Sequence, residues 1–204
     1  MYTVSESMKD YLQPGKYIDF ETDIVSQKSE QLKLNCLDRI NLIEQTYTFV
    51  RDEIKHSWDA QDKRVTVTAS DVLREGVGIC FAKANLLAAL LRANEIPAGI
   101  CYQRLTLGDT PDTGYCVHAL NAVFVEEIMR WVRLDARGNK PGVCAGFSLE
   151  QEYLAFTVRR EYCEIDYPEI YAEPVPITME VLEKSMDALD MYLYGLPDKL
   201  PQII

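Results

Sequence analysis

The sequence predicts an α+β domain, and three observations carry that prediction. Apolar residues in the first half recur at three- and four-residue steps, the period of a helix stripe. The second half holds β-rich runs joined by short turns, as antiparallel strands require. Between them lies one Ala- and Leu-rich segment, residues 81–93, that is apolar nearly all round and belongs in the middle of a core.

Taken in chain order, residues 1–30 are polar and weakly periodic around a Pro14-Gly15 turn, and are expected as an extension packed on the domain. Leu32, Leu37, Ile40, Ile43, Tyr47, Val50 and Ile54 form a helical stripe, in one helix or two. Val65-Thr66-Val67 is short and β-rich; Thr68 to Asp71 offer N-caps for a helix over 72–75. Gly76-Val77-Gly78 ends that helix and the central one follows, with Asn94 expected in the left-handed position and Pro97 preventing continuation. Strands are expected over 100–107, 115–125 and 131–135, the last two joined by a turn centred on Glu126-Glu127. Loops follow from Gly, Pro and Asp at 108–114 and from Gly and Pro at 137–142. Residues 164–176, with three prolines and many acids, are expected on the surface. Residues 179–194 read as one amphipathic closing helix with Val181, Leu182, Met186, Leu189 and Leu193 buried. The organisation is an extension at 1–30, a core at 31–160, and a C-terminal segment with its helix at 161–204.

A chain of 204 residues with 48% hydrophobic and 26% charged residues has enough apolar side chains for a core, which excludes disorder along its length. Its 21 basic and 32 acidic residues give a net charge of −11. That charge repels phosphate backbones and anionic lipid surfaces, and no basic patch offsets it, since Lys and Arg are scattered singly or in pairs such as Arg159-Arg160. Nucleic acid and membrane are therefore not expected partners, and an acidic substrate would be poorly attracted. No apolar run approaches the roughly 20 residues of a membrane-spanning helix. The start, Met1-Tyr2-Thr3-Val4-Ser5-Glu6, lacks a basic and apolar leader, so a cytoplasmic location with reduced thiols is expected. The six cysteines, Cys36, Cys80, Cys101, Cys116, Cys144 and Cys163, then read as small buried hydrophobes unless one differs.

Cys80 differs by position. It stands at the first turn of the central helix, where the positive end of the helix dipole and unpaired backbone N–H groups favour a thiolate and can receive an oxyanion. The glycines before it leave room for a substrate backbone. The plain alternative is a small core residue at a helix start. His118, one of two histidines, lies in a predicted strand. With the turn centred on Glu126-Glu127, Asp135 falls directly opposite His118, where a carboxylate would hold one imidazole nitrogen while the other faces the thiol.

These residues resemble a known family. Gly76-Val77-Gly78-Ile79-Cys80-Phe81-Ala82-Lys83-Ala84, the run 86–92 and Ile96-Pro97-Ala98 are similar to the nucleophile segment of the transglutaminase-like superfamily. His118 with its strand and Trp131-Val132-Arg133-Leu134-Asp135 resemble its His and Asp segments. Phe49 to Trp58, Ser70-Asp71-Val72-Leu73 and the continuation to Lys140 resemble small prokaryotic members, so the likeness spans about residues 40–140. The resemblance implies a papain-like α+β core in which the Cys-bearing helix packs on an antiparallel sheet carrying His and Asp. It implies a thiol-dependent acyl-transfer enzyme acting on amide bonds of a peptide or protein: Cys80 the nucleophile, His118 the base and then acid, Asp135 the orienting carboxylate. Three positions depart from the family pattern: Ala119-Leu120 follow the His where a Trp is common, Asn94-Glu95 precede Ile96 where Gly is usual, and Gly99 replaces an Arg. Hydrolysis is expected over cross-linking, because nothing points to a dedicated amine site. No cofactor is called for; no Asp/Asn-rich loop with calcium spacing is present.

Other readings stand beside this one. Trp58, through its indole N–H, and Gln103, through its carboxamide, are candidates for a second oxyanion donor beside the Cys80 backbone, or plain packing residues. Cys116 and His118 share a strand face, so zinc would need Cys80 and Cys144 to join them, with no Cys-x-x-Cys pair in support. The same spacing makes Cys116 a candidate for a reversible disulfide with Cys80. His56 is expected on the surface at a helix end. The whole domain is alternatively a non-catalytic module that uses its cleft to bind a peptide or protein. The sequence names no substrate and no oligomeric state.

Overall fold

The computed structural model describes residues 1–34 and 36–201. Its elements, in chain order, are β1 (Tyr2–Thr3), a 3-10 turn Met8–Leu12, α1 (Asp23–Lys33), α2 (Arg39–Glu53), β2 (Lys55–His56), α3 (Ser57–Ala60), α4 (Ala69–Glu75), β3 (Val77–Gly78) and α5 (Cys80–Arg92). The sheet strands β4 (Ala98–Thr106), β5 (Tyr115–Val125) and β6 (Arg130–Leu134) follow. Then come β7 (Ile165–Asp166), β8 (Glu169–Ile170), α6 (Pro176–Lys184), α7 (Ala188–Asp190) and a π turn Met191–Gly195. The main sheet is antiparallel in the order β6-β5-β4-β7.

α5 is the centre of the molecule, with every residue from Cys80 to Arg92 buried. It packs on β4 and β5 from one side and on α1, α2 and α4 from the other, which is why its sequence has no polar face. Leu86, Leu87, Leu90 and Leu91 are fully buried, each contributing about 1.5–3 kcal/mol of transfer free energy. The donors of its polar side chains go to main-chain carbonyls, while the buried Asn85 Oδ1 has no partner among the described residues. Asn85 donates to Val67 O, and Arg92 donates to Ala98 O and Gln13 O. The Lys83 ammonium spends its three N–H donors on the carbonyls of Arg51, Ile54 and Arg137. Burial and the Arg137 charge push the Lys83 pKa down to about 7. A smaller cluster on the sheet, Tyr11, Cys101, Leu120, Ala122 and Ile170, ties the N-terminal segment to β8.

α4 begins one residue after Thr68, which forms a capping box with Asp71. It ends on Gly76, at φ 66°. Gly78 has a packing reason: a Cβ there would sit 2.9 Å from Thr66 Oγ1 and 3.3 Å from Ala82 Cβ. These glycines therefore shape the chain's entry into α5, and the space beside Gly78 is filled by protein rather than left for a substrate.

Several expectations need correction. The β5–β6 ladder pairs Asn121 with Leu134 and Val125 with Arg130, so the hairpin is centred one residue later than expected. A 3-10 turn over Glu126–Ile128 followed by Met129 in the left-handed region makes the connection four residues long and moves its centre. The left-handed position after α5 belongs to Glu95, at φ 60°, and not to Asn94. Residues 65–67 form no strand. The stretch 164–176 does more than cover the surface: β7 pairs with β4, and Ile170 is fully buried. The closing helix is broken, because α6 stops at Lys184 and leaves Met186 exposed.

Candidate functional site

β2 and β3 form a two-residue parallel pair that sets His56 level with Gly78, so the chain entering α5 runs beside His56. Cys80 is the first residue of α5. The N-cap, Ile79, makes no side-chain capping hydrogen bond, so no side chain competes for the positive helix end at the thiol. Cys80 opens onto a cavity of about 600 Å³ whose lining includes His118, Cys116, His56, Tyr192, Phe156 and Arg137.

His118 Nε2 and Asp135 Oδ2 are 2.8 Å apart. Both residues are buried, Asp135 completely. The register correction explains how they meet. Asp135 is level with Leu120 by extension of the ladder, two residues from His118. A shift of two preserves the face, so the pair closes on a diagonal rather than on a rung. The carboxylate is fixed by backbone N–H donors from Arg137 to Oδ1 and from Ala155 to Oδ2, each at 3.1 Å. Burial pushes the Asp135 carboxyl up, but His118 and these two amides outweigh it and hold it below the usual range. Burial likewise pushes His118 down. The charges of Asp135 and Cys80 and their hydrogen bonds overcome it and lift the imidazole to about 10. Phe156 stands edge-on to the imidazole, ring centroids 5.2 Å apart, an aromatic neighbour supplied from far along the chain where Ala119-Leu120 provide none.

Of the other expected site residues, Cys116 is half-buried and lines the cavity; burial and the facing Cys80 push its thiol up to about 12. Trp58 does not line the cavity. Its ring stacks on Tyr192, centroids 4.5 Å apart and 15° from parallel. Gln103 pairs across the ladder with His118 but donates Nε2 to Asp166 at 3.4 Å. Cys144 is exposed, and among the described residues no three His, Cys, Asp or Glu side chains gather as a metal site.

Three features escaped the sequence. His56 is buried, not on the surface; its Nδ1 has no hydrogen-bond partner and lies 4.0 Å from Asp59 Oδ2. Burial and the Arg137 charge hold its pKa well below the usual histidine value. Tyr192 comes from the far end of the chain, with only the broken closing helix to announce it. The cavity also carries Arg137, Lys140 and Arg159 against Asp109 and Glu164, so the whole-chain charge does not describe it. Arg137 is braced by Asp59 at 2.5 and 3.1 Å, and Lys140 meets the same carboxylate at 2.8 Å. Two departures from the family pattern also find their reasons. A Cβ on Gly99 would lie 2.5 Å from Ile170 Cγ2 and 2.9 Å from Tyr171 O, so β8 and its neighbour occupy the space an Arg side chain would need. Glu95 takes the left-handed conformation that Gly adopts more easily.

Among the described residues no helix is long and apolar enough to cross a membrane. No curated protein sequence matches the chain. Among solved structures it is similar to a "Putative Cysteine Protease from Cytophaga hutchinsonii", at 18% identity over 66% of this chain and 43% of that one, with a TM-score of 0.52. It also resembles the periplasmic domain of TgpA from Pseudomonas aeruginosa, at 17% identity over 63% of this chain and 48% of that one, with a TM-score of 0.47. The chain thus spans less than half the length of either. Residues 26–136 match the model of the transglutaminase-like superfamily. That match covers more than half of the chain, and the protein belongs to the transglutaminase-like superfamily.

Proposed function

We propose that the protein is a thiol-dependent enzyme that hydrolyses amide bonds of a peptide or protein, with residues 31–160 as its catalytic core. The observation that carries this reading is the 2.8 Å contact between the buried Asp135 carboxylate and His118, which lines the same cavity as Cys80. Its support is an imidazole raised to about 10 by Asp135 and Cys80, once burial is overcome, since a protonated His118 at neutral pH is the counter-ion a thiolate needs.

In this mechanism the Cys80 sulfur attacks the acyl carbon and the carbonyl electron pair moves to oxygen. As the C–N bond breaks, His118 gives its proton to the leaving amine. His118 then takes a proton from water, which attacks the thioester, and the carboxylic acid departs as the thiolate returns. Asp135 keeps the imidazole oriented and stabilises its charged form. Hydrolysis is favoured over transfer to an amine because nothing in the sequence points to a dedicated amine site. The six unpaired cysteines fit a reducing compartment, and we place the protein in the cytoplasm.

The test is incubation with a proteome-derived peptide library, read by mass spectrometry for new termini or for side-chain amides converted to acids. The wild type should produce such products and Cys80→Ala none. Equal products from Cys80→Ala, or none from the wild type, would contradict the proposal; isopeptide cross-links would replace hydrolysis with transfer.

A further inference from the structure

An acyl transfer at Cys80 needs two hydrogen-bond donors at the oxygen that gains the electron pair. The Cys80 backbone N–H at the start of α5 is one. Neither Trp58 nor Gln103 lines the cavity; Trp58 is stacked on Tyr192, and the Gln103 carboxamide is turned to Asp166 across the ladder.

We propose that the Tyr192 hydroxyl is the second oxyanion donor, an inference that rests on Cys80 being the nucleophile. Tyr192 lines the same cavity as Cys80 and His118. Its ring is fixed on two sides, stacked on Trp58 at 4.5 Å and edge-on to His56 at 6.2 Å. The segment that carries it is pinned at both ends. On one side Ala188 N–H donates to Lys63 O at 2.9 Å and Lys63 pairs with Asp187 at 3.0 Å. On the other, Val117 N–H donates to Pro197 O at 2.7 Å, and Arg104 donates to both Asp198 carboxylate oxygens at 2.9 and 3.2 Å. A ring held this way keeps its hydroxyl in place without reorganisation as charge develops. Among the described residues that hydroxyl has no hydrogen-bond partner, so its proton is free for a substrate. Burial and the facing thiols of Cys116 and Cys80 raise its pKa to about 12, which keeps it an O–H donor throughout the neutral range.

In the step itself the sulfur–carbon bond forms, the carbonyl π pair moves to oxygen, and that oxygen accepts hydrogen bonds from Cys80 N–H and Tyr192 O–H. When the oxygen's pair re-forms the carbonyl, the bond to the leaving group breaks. Alkylation of the same sulfur by iodoacetamide displaces iodide and builds no oxyanion. Tyr192 should therefore matter to the first reaction and not to the second.

The experiment compares wild type, Tyr192→Phe and Cys80→Ala in two assays: the burst of p-nitrophenolate from p-nitrophenyl acetate, and the rate of Cys80 alkylation by iodoacetamide. Tyr192→Phe keeps the ring and its stacking, and Tyr192→Met is a second variant without the donor. The expected result is acylation slowed about 100-fold in both Tyr192 variants with alkylation of Cys80 unchanged, and no burst in Cys80→Ala. Wild-type acylation in the Tyr192 variants, with the burst still lost in Cys80→Ala, would overturn the Tyr192 proposal alone. So would an equal fall in both reactions, which marks an effect on the thiol or the fold. A burst that survives in Cys80→Ala, or its absence from the wild type, would overturn the nucleophile and Tyr192 with it.

Discussion

Asp135 reaches His118 across a diagonal of the β5–β6 hairpin, two residues off the rung, and the two side chains still close to 2.8 Å. A four-residue turn displaces the whole ladder by two in the sum of paired numbers, and even displacement leaves every side chain on its face. A displacement of one would have sent Asp135 to the other side of the sheet. The hairpin thus tolerates an error of register that the contact itself would not tolerate in parity.

The chain has two histidines, and they should titrate on opposite sides of the ordinary value. In an NMR pH titration the His118 imidazole is expected near 10, held up by Asp135 and Cys80 against burial, and His56 well below 6.5, held down by burial and Arg137. Cys80→Ala should lower the His118 midpoint and Asp135→Asn should lower it further. The linkage has a definite sign. A pKa raised in the folded state stabilises fully below the unfolded value of about 6.5, and that stability is lost as pH rises through about 10. Asp135, held low, adds stability above its unfolded value that is lost in acid. The advantage of wild type over His118→Gln in unfolding free energy should accordingly peak between about pH 4 and 6.5. Two histidines both titrating near 6.5 would refute this electrostatic picture.

The layout of the core was readable because it is written in local patterns. Residues 115–125 were expected as a strand and are one; the Ala/Leu-rich run became a helix buried on every side. The placement of Cys80 at a helix start and of His118 within a strand was legible for the same reason, each tied to an element with a clear period. His56 and Tyr192 were not, because what places them is long-range: a two-residue bridge from His56 to Gly78, and a C-terminal segment pinned to Lys63, Val117 and Arg104. The closing helix was overextended because its apolar spacing continues past Lys184, whereas Asp187 accepts from the N–H groups of Leu189 and Asp190 and starts a separate short helix.

Gly99 reports on the C-terminal segment's grip on the sheet. Ile100 exchanges backbone hydrogen bonds with Tyr171 at 2.8 and 2.9 Å, which brings Tyr171 O against Gly99. Gly99→Ala should cost about 2 kcal/mol, because backbone must move to admit the methyl group. Urea unfolding that finds no loss would mean that this packing is looser than the structure has it.

Glu95 offers the reverse case. Its side chain is exposed and its backbone sits at φ 60°. Glu95→Gly should stabilise the protein by about 1 kcal/mol, the relief of a left-handed residue exceeding the added freedom of the unfolded chain. A lower denaturation midpoint would contradict that assignment.

The central claim is that Cys80 is chemically unlike the other five cysteines, and competitive alkylation tests it most directly. Burial pushes the thiols of Cys101 and Cys116 up to about 12 and raises that of Cys36, while Cys144 and Cys163 are exposed. With limiting iodoacetamide at pH 7 and peptide mapping, Cys80 should be labelled about tenfold faster than Cys144 or Cys163, with Cys101 and Cys116 last. The His118→Gln variant should lose that lead. Labelling of Cys80 no faster than of the two exposed cysteines would contradict a thiolate nucleophile in this cavity.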